Sequence, residues 1–486
     1  MKILKDKISN DKNILISMSV LLFIIIALVT KDIKFIILIS FSIIFELIFI
    51  YLLIVRNRST YLYIINFVIF QNIIVVILSK YISTRVFNLI ILNKEILLYI
   101  SCFMFILVYI NKVIKQQNKI DSIVVISLII LTFYLIVFSK NNFKATVASY
   151  RQYIIPYIFY LFGRIVIMNE KDIKKSIKVY VIILFVSCII SLIIYFLGDS
   201  IWSQLGIDQY LNHKGVQYAS RRPDGLPRSF YTYDYINLIG IPVRRLVGVL
   251  VDPVIYGQVI SCGLVFLILD KEIISNNINR FIMIFVMSIS LILTFSKGGF
   301  VIFAISVAMG IKKVYNKKIL GNFLIVVCIL CFSLIILGGR NSETSIGAHY
   351  SGLIENIEYM VKKPLGHGIG INGNFANQYG ADSFETVGED ESFIGKVMVE
   401  VGGVGIILYA MLIGNLYKSM KSYKFYDRNI KHKYWIFVIL GISIFCGSLF
   451  SVSCMSFTGC AFVFISLGII TNLNMANSSC ISESRR

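Results

Sequence analysis

Apolar runs of close to twenty residues follow one another along almost the whole chain, separated by short polar turns, and this constrains the fold more than any motif. A hydrocarbon core of roughly 30 Å takes about 20 apolar residues in helical form. Water is missing there, so only helices or closed barrels can satisfy their own backbone groups. The runs fall near residues 13–30, 35–55, 60–79, 95–111, 123–138, 152–168, 179–197, 254–269, 281–295, 299–311, 319–338, 396–416, 434–453 and 456–473. They predict an all-α polytopic integral membrane protein of about 14 transmembrane helices. With 57% hydrophobic and only 15% charged residues, 486 residues do not make a soluble protein. No small-residue cleavage site follows the first run, so it is expected to stay in place as a span.

Lysine and arginine collect at alternate turns. Placing the N-terminus in the cytoplasm puts every basic cluster on that side: Lys2, Lys5, Lys7 and Lys12; Arg56 and Arg58; Lys112, Lys115 and Lys119; Lys171, Lys174, Lys175 and Lys178; Lys312, Lys313, Lys317 and Lys318; Lys418, Lys421, Lys424, Arg428, Lys431 and Lys433. Arg485 and Arg486 put the C-terminus there too. The net charge of +21 is then a topology signal facing anionic lipid, and no nucleic-acid partner is needed to explain it.

This orientation leaves two long hydrophilic connections on the outer face, residues 199–253 and 339–395. They divide the chain into an N-terminal scaffold (1–198), the first outer loop, a central helical group (254–338), the second outer loop, and C-terminal helices with a cytoplasmic tail (396–486). Five of the six prolines lie in the two loops, and the first loop also holds Arg221, Arg222, Arg228, Arg244 and Arg245. Neither loop contains a cysteine, so neither can form a disulfide. Cys102, Cys188, Cys262, Cys328, Cys331, Cys446, Cys454 and Cys460 fall in apolar runs, and no Cys-x-x-Cys pair has partner histidines, so a structural zinc site is not expected. Tyr350, Leu353, Ile354, Ile357 and Val361 recur at helical spacing and predict an amphipathic helix on the membrane surface, with Glu355, Asn356, Glu358 and Lys362 on its other face and Pro364 ending it. The glycine run that follows, Gly366, Gly368 and Gly370, reads as a turn, since no βαβ unit frames it as a nucleotide site. Arg151, at the outer part of the sixth run, reads either as a cation snorkelling to the interface or as one lining a cavity under the loops.

Five segments, in order, resemble the bacterial O-antigen ligase and Wzy-type polysaccharide polymerase superfamily. They are Arg245-Leu-Val-Gly248-Val-Leu-Val-Asp-Pro253; Thr294-Phe-Ser-Lys-Gly-Gly; Arg340-Asn-Ser with Lys363-Pro-Leu-Gly-His-Gly-Ile-Gly370; Glu391-Ser-Phe-Ile; and Glu400-Val-Gly-Gly-Val-Gly405. The resemblance covers roughly residues 240–410. The chain departs from the pattern at Val254, where Asn is common, at Lys297, where Arg is common, and at Glu391-Ser392, where ligases carry His-Asn. The last departure favours a polymerase.

The resemblance implies a GT-C-like membrane glycosyltransferase of the bacterial cytoplasmic (inner) membrane, acting in O-antigen, lipopolysaccharide, capsule or exopolysaccharide synthesis. Donor and acceptor would be oligosaccharides linked to undecaprenyl pyrophosphate, the partners a chain-length regulator and a flippase, and no metal or other cofactor is expected. Such a transfer needs cations on the anionic leaving group and a base for the acceptor hydroxyl. The candidates are Arg245, Arg340 and Glu391 for catalysis, with Arg244, Lys297, His349, His367, Asp252 and Arg151 binding substrate. Permanently charged, bidentate arginine suits the first task, and partial desolvation just before a span makes Glu391 a better proton acceptor. His349 is the alternative base. Glu391 also reads as a helix cap, and Asp252 carries the same ambiguity. A ligase-type transferase and a flippase or transporter are the other readings.

Overall fold

The computed structural model describes residues 58–88, 118–139, 142–214, 226–233, 240–324, 345–373, 392–422 and 428–484, with residues 326 and 376. The runs expected at 13–30, 35–55 and 95–111, and most of that at 319–338, lie outside the described residues.

Helix dominates. The elements in order are α1 (Arg58–Ser79), α2 (Lys119–Val137), α3 (Phe143–Ile165), α4 (Glu170–Leu197), the short α5 (Ser200–Leu205) and α6 (Ile207–His213), a two-stranded ribbon of β1 (Tyr231–Thr232) and β2 (Val243–Arg244), α7 (Pro253–Leu269), α8 (Asn277–Thr294), α9 (Lys297–Lys313), α10 (Ser345–Lys362), α11 (Phe393–Glu400), α12 (Gly402–Ser422), α13 (Arg428–Gly447) and α14 (Phe457–Ser484). The ribbon is antiparallel, with Tyr231 opposite Arg244. Among the described residues, five helices are long and apolar enough to cross a membrane: Tyr61–Ser79 within α1, α2, α4, α8 and Ile430–Gly447 within α13. Helix α7 and the Phe457–Leu473 part of α14 are apolar but shorter. The chain is therefore a mostly helical, membrane-associated protein.

Burial explains which helices lie inside. Helices α3, α7 and the first part of α14 are buried on nearly every face, as expected of helices that are apolar all round. Around them, α2, α4 and α8 turn large apolar side chains outward: Ile129, Phe133 and Ile136; Ile193, Phe196 and Leu197; Ile278, Phe281 and Phe285. A girdle of this kind suits lipid and not water.

The axis of the bundle is the contact of α3 with α14. A Cβ at Gly163 would fall on the carbonyl oxygen of Ile465, and one at Gly468 on that of Tyr160. Only glycine allows this approach, the small-residue device by which helices associate in lipid. Directly beside this contact, Arg164 clamps Asp121 of α2 with both Nε–Oδ1 and Nη2–Oδ2 at 3.0 Å, Tyr160 donates to the same carboxylate at 2.9 Å, and Nη1 of Arg164 reaches Asn472 of α14 at 3.2 Å. Both charges are almost fully buried, which is tolerable in a bundle interior only because they are paired.

Other ion pairs gather at this end. Lys433 of α13 sits 3.1 Å from Asp270 at the end of α7, and Lys174 of α4 sits 3.0 Å from Glu272. Residues that the charge pattern assigns to one side thus come together at one end of the bundle, here termed the lysine end. The described parts of the two long connections, 199–214, 226–233, 240–253 and 363–373, belong to the opposite, loop end.

Three expectations differ. The run at 396–416 is not one helix: α11 ends at Glu400, Gly402 adopts φ +70°, and α12 begins there. The run at 434–453 stops at Gly447 and continues as a connection with a 3-10 turn at Val452–Met455, which places Cys454 in a turn. The apolar letters run on across both breaks, so hydropathy cannot see them. Helix α10 forms where its periodicity predicts, but Asn356, expected on the outward polar face, is buried against Gly395 while Ile354, Ile357 and Val361 are exposed.

Candidate active site

The first two motif segments interlock at the loop end. The Leu246 amide donates to the Leu293 carbonyl at 2.7 Å, and the Arg245 amide to Phe230 at 2.9 Å. The guanidinium of Arg245 donates to the carbonyls of Thr294 (2.8 Å) and Phe295 (3.2 Å). These are carbonyls at the C-terminal end of α8, where a helix leaves acceptors unsatisfied and favours a cation. The Ser296 hydroxyl donates to Val254 at 2.8 Å and accepts from the Gly299 amide at 3.1 Å, so it caps α9 while pinning it to the start of α7. Gly257 and Gly299 permit the contact, since a Cβ on either would meet the other segment.

Two residues here hold unfavourable backbone conformations. Val251 has φ +58° and Phe295 has φ +48°. A β-branched residue in that region is a marked exception, and such strain concentrates at functional sites. Gly248, at φ +67°, makes room for the buried Tyr256 ring, whose hydroxyl lies 3.1 Å from Ser187 and 3.0 Å from Ser191 of α4.

The connection between α13 and α14 is the meeting point of the remaining segments. Gln258 of α7 donates to Ser451 at 3.4 Å, and Gln152 of α3 donates to the Val452 carbonyl at 3.2 Å. The Ile394 amide of α11 donates to Ser448 at 3.2 Å, and Gly298 of α9 packs against Ser451 and Cys454. Helices α7, α9, α11 and α14 therefore all begin around residues 447–456, capped by Asp252, Ser296, Ser392 and Ser456 respectively. Each contributes the positive end of its dipole to one region.

Among the predicted residues, Arg245, Asp252 and Lys297 come together in the interlocked segments. Asp252 is a helix cap: its Oδ1 accepts from the Val254 amide at 2.8 Å and the Ile255 amide at 3.0 Å. Arg244 pairs with Asp199 at 2.5 Å and stacks 4.7 Å over the Tyr195 ring, tying the ribbon to the end of α4. In these contacts both residues support the loop. Lys297, half-buried, occupies the first position of α9, where a cation opposes the helix dipole. Arg151 is half-buried on α3, beside Gln152. His367 belongs to a loop laid along the end of α11: its amide donates to Val399 at 2.8 Å, and its ring meets Tyr359 edge-on at 5.8 Å. Burial, reinforced by Lys363, holds its imidazole below the usual histidine range, against a weaker opposing hydrogen bond to the Tyr359 backbone. Arg340 and Glu391 lie outside the described residues. His349 lies within α10, where its side chain is not described. The cap of α11 is Ser392, whose hydroxyl accepts from the Gly395 amide at 2.9 Å, and this removes Glu391 from that role.

Sequence reasoning assigned no site role to Lys396 and Glu400, a buried ionisable pair one turn apart on α11. Two charges inside an apolar run were the available signal. The Glu400 carboxylate accepts from the Tyr153 hydroxyl at 2.6 Å and the Asn372 amide at 3.1 Å. Comparison of the chain with protein-family models and with curated proteins finds no match.

Proposed function

We propose that this chain is a polysaccharide polymerase: a membrane glycosyltransferase joining oligosaccharide repeat units carried on undecaprenyl pyrophosphate, at the outer face of the bacterial cytoplasmic membrane. In this reading the chain crosses the membrane about 14 times in a GT-C-like arrangement with both termini cytoplasmic, and the transfer needs no metal. One observation carries the proposal. Segments far apart in sequence bring Arg245, Lys297 and the positive ends of four helices to the loop end, an arrangement suited to holding a pyrophosphate. A lysine that opposes its own helix dipole makes physical sense where an anion is to be bound.

The acceptor hydroxyl oxygen attacks the anomeric carbon of the donor glycan. The bond from that carbon to the pyrophosphate oxygen breaks, and undecaprenyl pyrophosphate leaves with the electron pair. Arg340 and Lys297 stabilise the leaving charge, Arg245 braces the turn that presents Lys297, and Glu391 takes the hydroxyl proton. His349, His367 and Arg151 line the path of the glycan.

The broken helix at Glu400–Gly402 and its buried charges favour a second reading, a flippase or transporter, because discontinuous helices build such sites. Deleting the gene and resolving surface glycan on a gel separates the readings. A single repeat unit on its carrier means polymerase, polymer accumulating on lipid means a ligase, and loss of every outer-face intermediate means a flippase.

A further inference from the structure

We propose that Glu400 is a positioning residue for the transfer: its carboxylate fastens the loop 364–373 to the helix bundle. The role in transfer rests on the glycosyltransferase reading above, whereas the fastening stands on geometry alone.

The loop lies along the break between α11 and α12. Its His367 and Gly368 amides donate to the carbonyls of Val399 (2.8 Å) and Glu400 (3.0 Å), and the Gly403 amide donates back to Pro364 at 2.9 Å. The last carbonyls of α11 are thus satisfied by loop amides, as a helix end requires. The fit leaves no space for side chains. Gly366, Gly368, Gly370 and Gly402 all have positive φ, and a Cβ on each would strike the backbone of Glu400, Phe138, Thr146 and Pro364 respectively. The loop is therefore wedged between the end of α2, the start of α3 and the α11–α12 break.

Main-chain bonds join the loop to α11 and the start of α12, and the Thr146 hydroxyl at the start of α3 donates to the Ile369 carbonyl at 3.2 Å. The Glu400 side chain adds a second tie to α3, farther along the helix at the buried Tyr153. One carboxylate oxygen accepts from the Tyr153 hydroxyl (2.6 Å), the other from the Asn372 amide (3.1 Å), and the Gly370 backbone bonds to the carboxylate as well. Lys396, one turn earlier and equally buried, holds its ammonium 5.8 Å from the centre of the Tyr153 ring. An aliphatic residue would be far cheaper to bury here. Only a carboxylate accepts from two loop amides and a hydroxyl at once, because an amide side chain offers a single acceptor oxygen. The loop carries His367, which the glycosyltransferase reading puts on the path of the glycan, and letting the anchor go would displace that group.

The test uses the full chain in lipid nanodiscs, with hydrogen–deuterium exchange of the 364–373 peptide and turnover of lipid-linked repeat units measured on the same samples. The variants are Tyr153→Phe, Glu400→Gln and the charge-neutral pair Lys396→Met/Glu400→Gln, the last included because Glu400→Gln alone leaves a buried lysine uncompensated. We expect the loop to exchange roughly tenfold faster in Tyr153→Phe and faster still in the pair, with peptides from α7 and α9 unchanged. We expect kcat to fall by up to about 100-fold while KM changes little, as for misplaced rather than missing groups. Unchanged exchange in all folded variants overturns the anchor, whatever the turnover. Faster exchange with unaltered turnover overturns its role in transfer. Absence of turnover in the unsubstituted chain refutes the glycosyltransferase reading, and with it that role, while the exchange data still decide the anchor.

Discussion

Replacing Asp121 by Leu removes one half of a pair whose carboxylate and guanidinium are both nearly sealed from solvent. Arg164 would lose its two parallel 3.0 Å bonds and retain only Asn472 among the partners described above, and the Tyr160 hydroxyl would lose its acceptor. Stranding one charge of a buried pair costs about 3–5 kcal/mol, which lowers the folded-to-unfolded ratio roughly 150- to 5000-fold. Removing both, as Asp121→Leu/Arg164→Met, takes away the stranded charge and is expected to restore most of the loss. The pair lies at the lysine end, away from the segments proposed to hold substrate, so the double variant should also turn over lipid-linked repeat units at close to the normal rate. Thermal unfolding of the purified protein in detergent, followed by size-exclusion profile, measures the first effect, and a turnover assay the second. A single variant as stable as the unsubstituted chain would refute the ion-pair reasoning. A well-folded double variant without turnover would refute the assignment of that end to scaffold.

Lys297→Ala is expected to insert and fold normally but to slow turnover roughly 10- to 150-fold, the range for one charge-assisted hydrogen bond of about 1.5–3 kcal/mol, with Lys297→Arg retaining most of it; steady-state kinetics checks both. Gly468→Ala drives a methyl group into the Tyr160 carbonyl and should cost on the order of 1–3 kcal/mol of stability, seen as a lower melting temperature and less monodisperse protein. His367 should titrate below the ordinary histidine value of about 6.5, readable by NMR of ring-labelled protein. Because its folded value is the depressed one, its contribution to stability is fully present above the unfolded value and is lost as pH falls through the folded value. An unshifted titration would contradict the burial of the loop.

Much of this architecture is legible in the letters. Runs of apolar residues place α7, α8 and α9 within a few residues and α4 at its C-terminal end, and the motif around Arg245 and that around Ser296-Lys297 interlock. The breaks at Val401 and after Gly447 are not legible, because valine, phenylalanine and cysteine keep the hydropathy high where the backbone turns. Arg244 and Asp252 look like site residues by charge and position, yet their partners, Asp199 and the amides of Val254 and Ile255, appear only once the fold brings them together. Glu400 was visible as a charge in an apolar run, but its link from α3 to the glycine loop depends on contacts between residues 247 and 28 positions apart. Side-chain choice on α10 follows helical period, and the period alone does not say which face meets the protein.

The most direct test of the central claim is turnover of purified, lipid-pyrophosphate-linked repeat units by the purified chain in nanodiscs, with no nucleotide sugar and no added metal, comparing the unsubstituted protein with Glu391→Gln. The account predicts a ladder of lengthening glycan with one undecaprenyl pyrophosphate released per step. General-base catalysis contributes roughly 10²- to 10⁴-fold, so Glu391→Gln should bind the substrate but elongate it slower by a factor in that range. Intact repeat units crossing the bilayer without elongation would contradict the polymerase reading, and a Glu391→Gln ladder as fast as the unsubstituted one would remove that carboxylate from the chemistry.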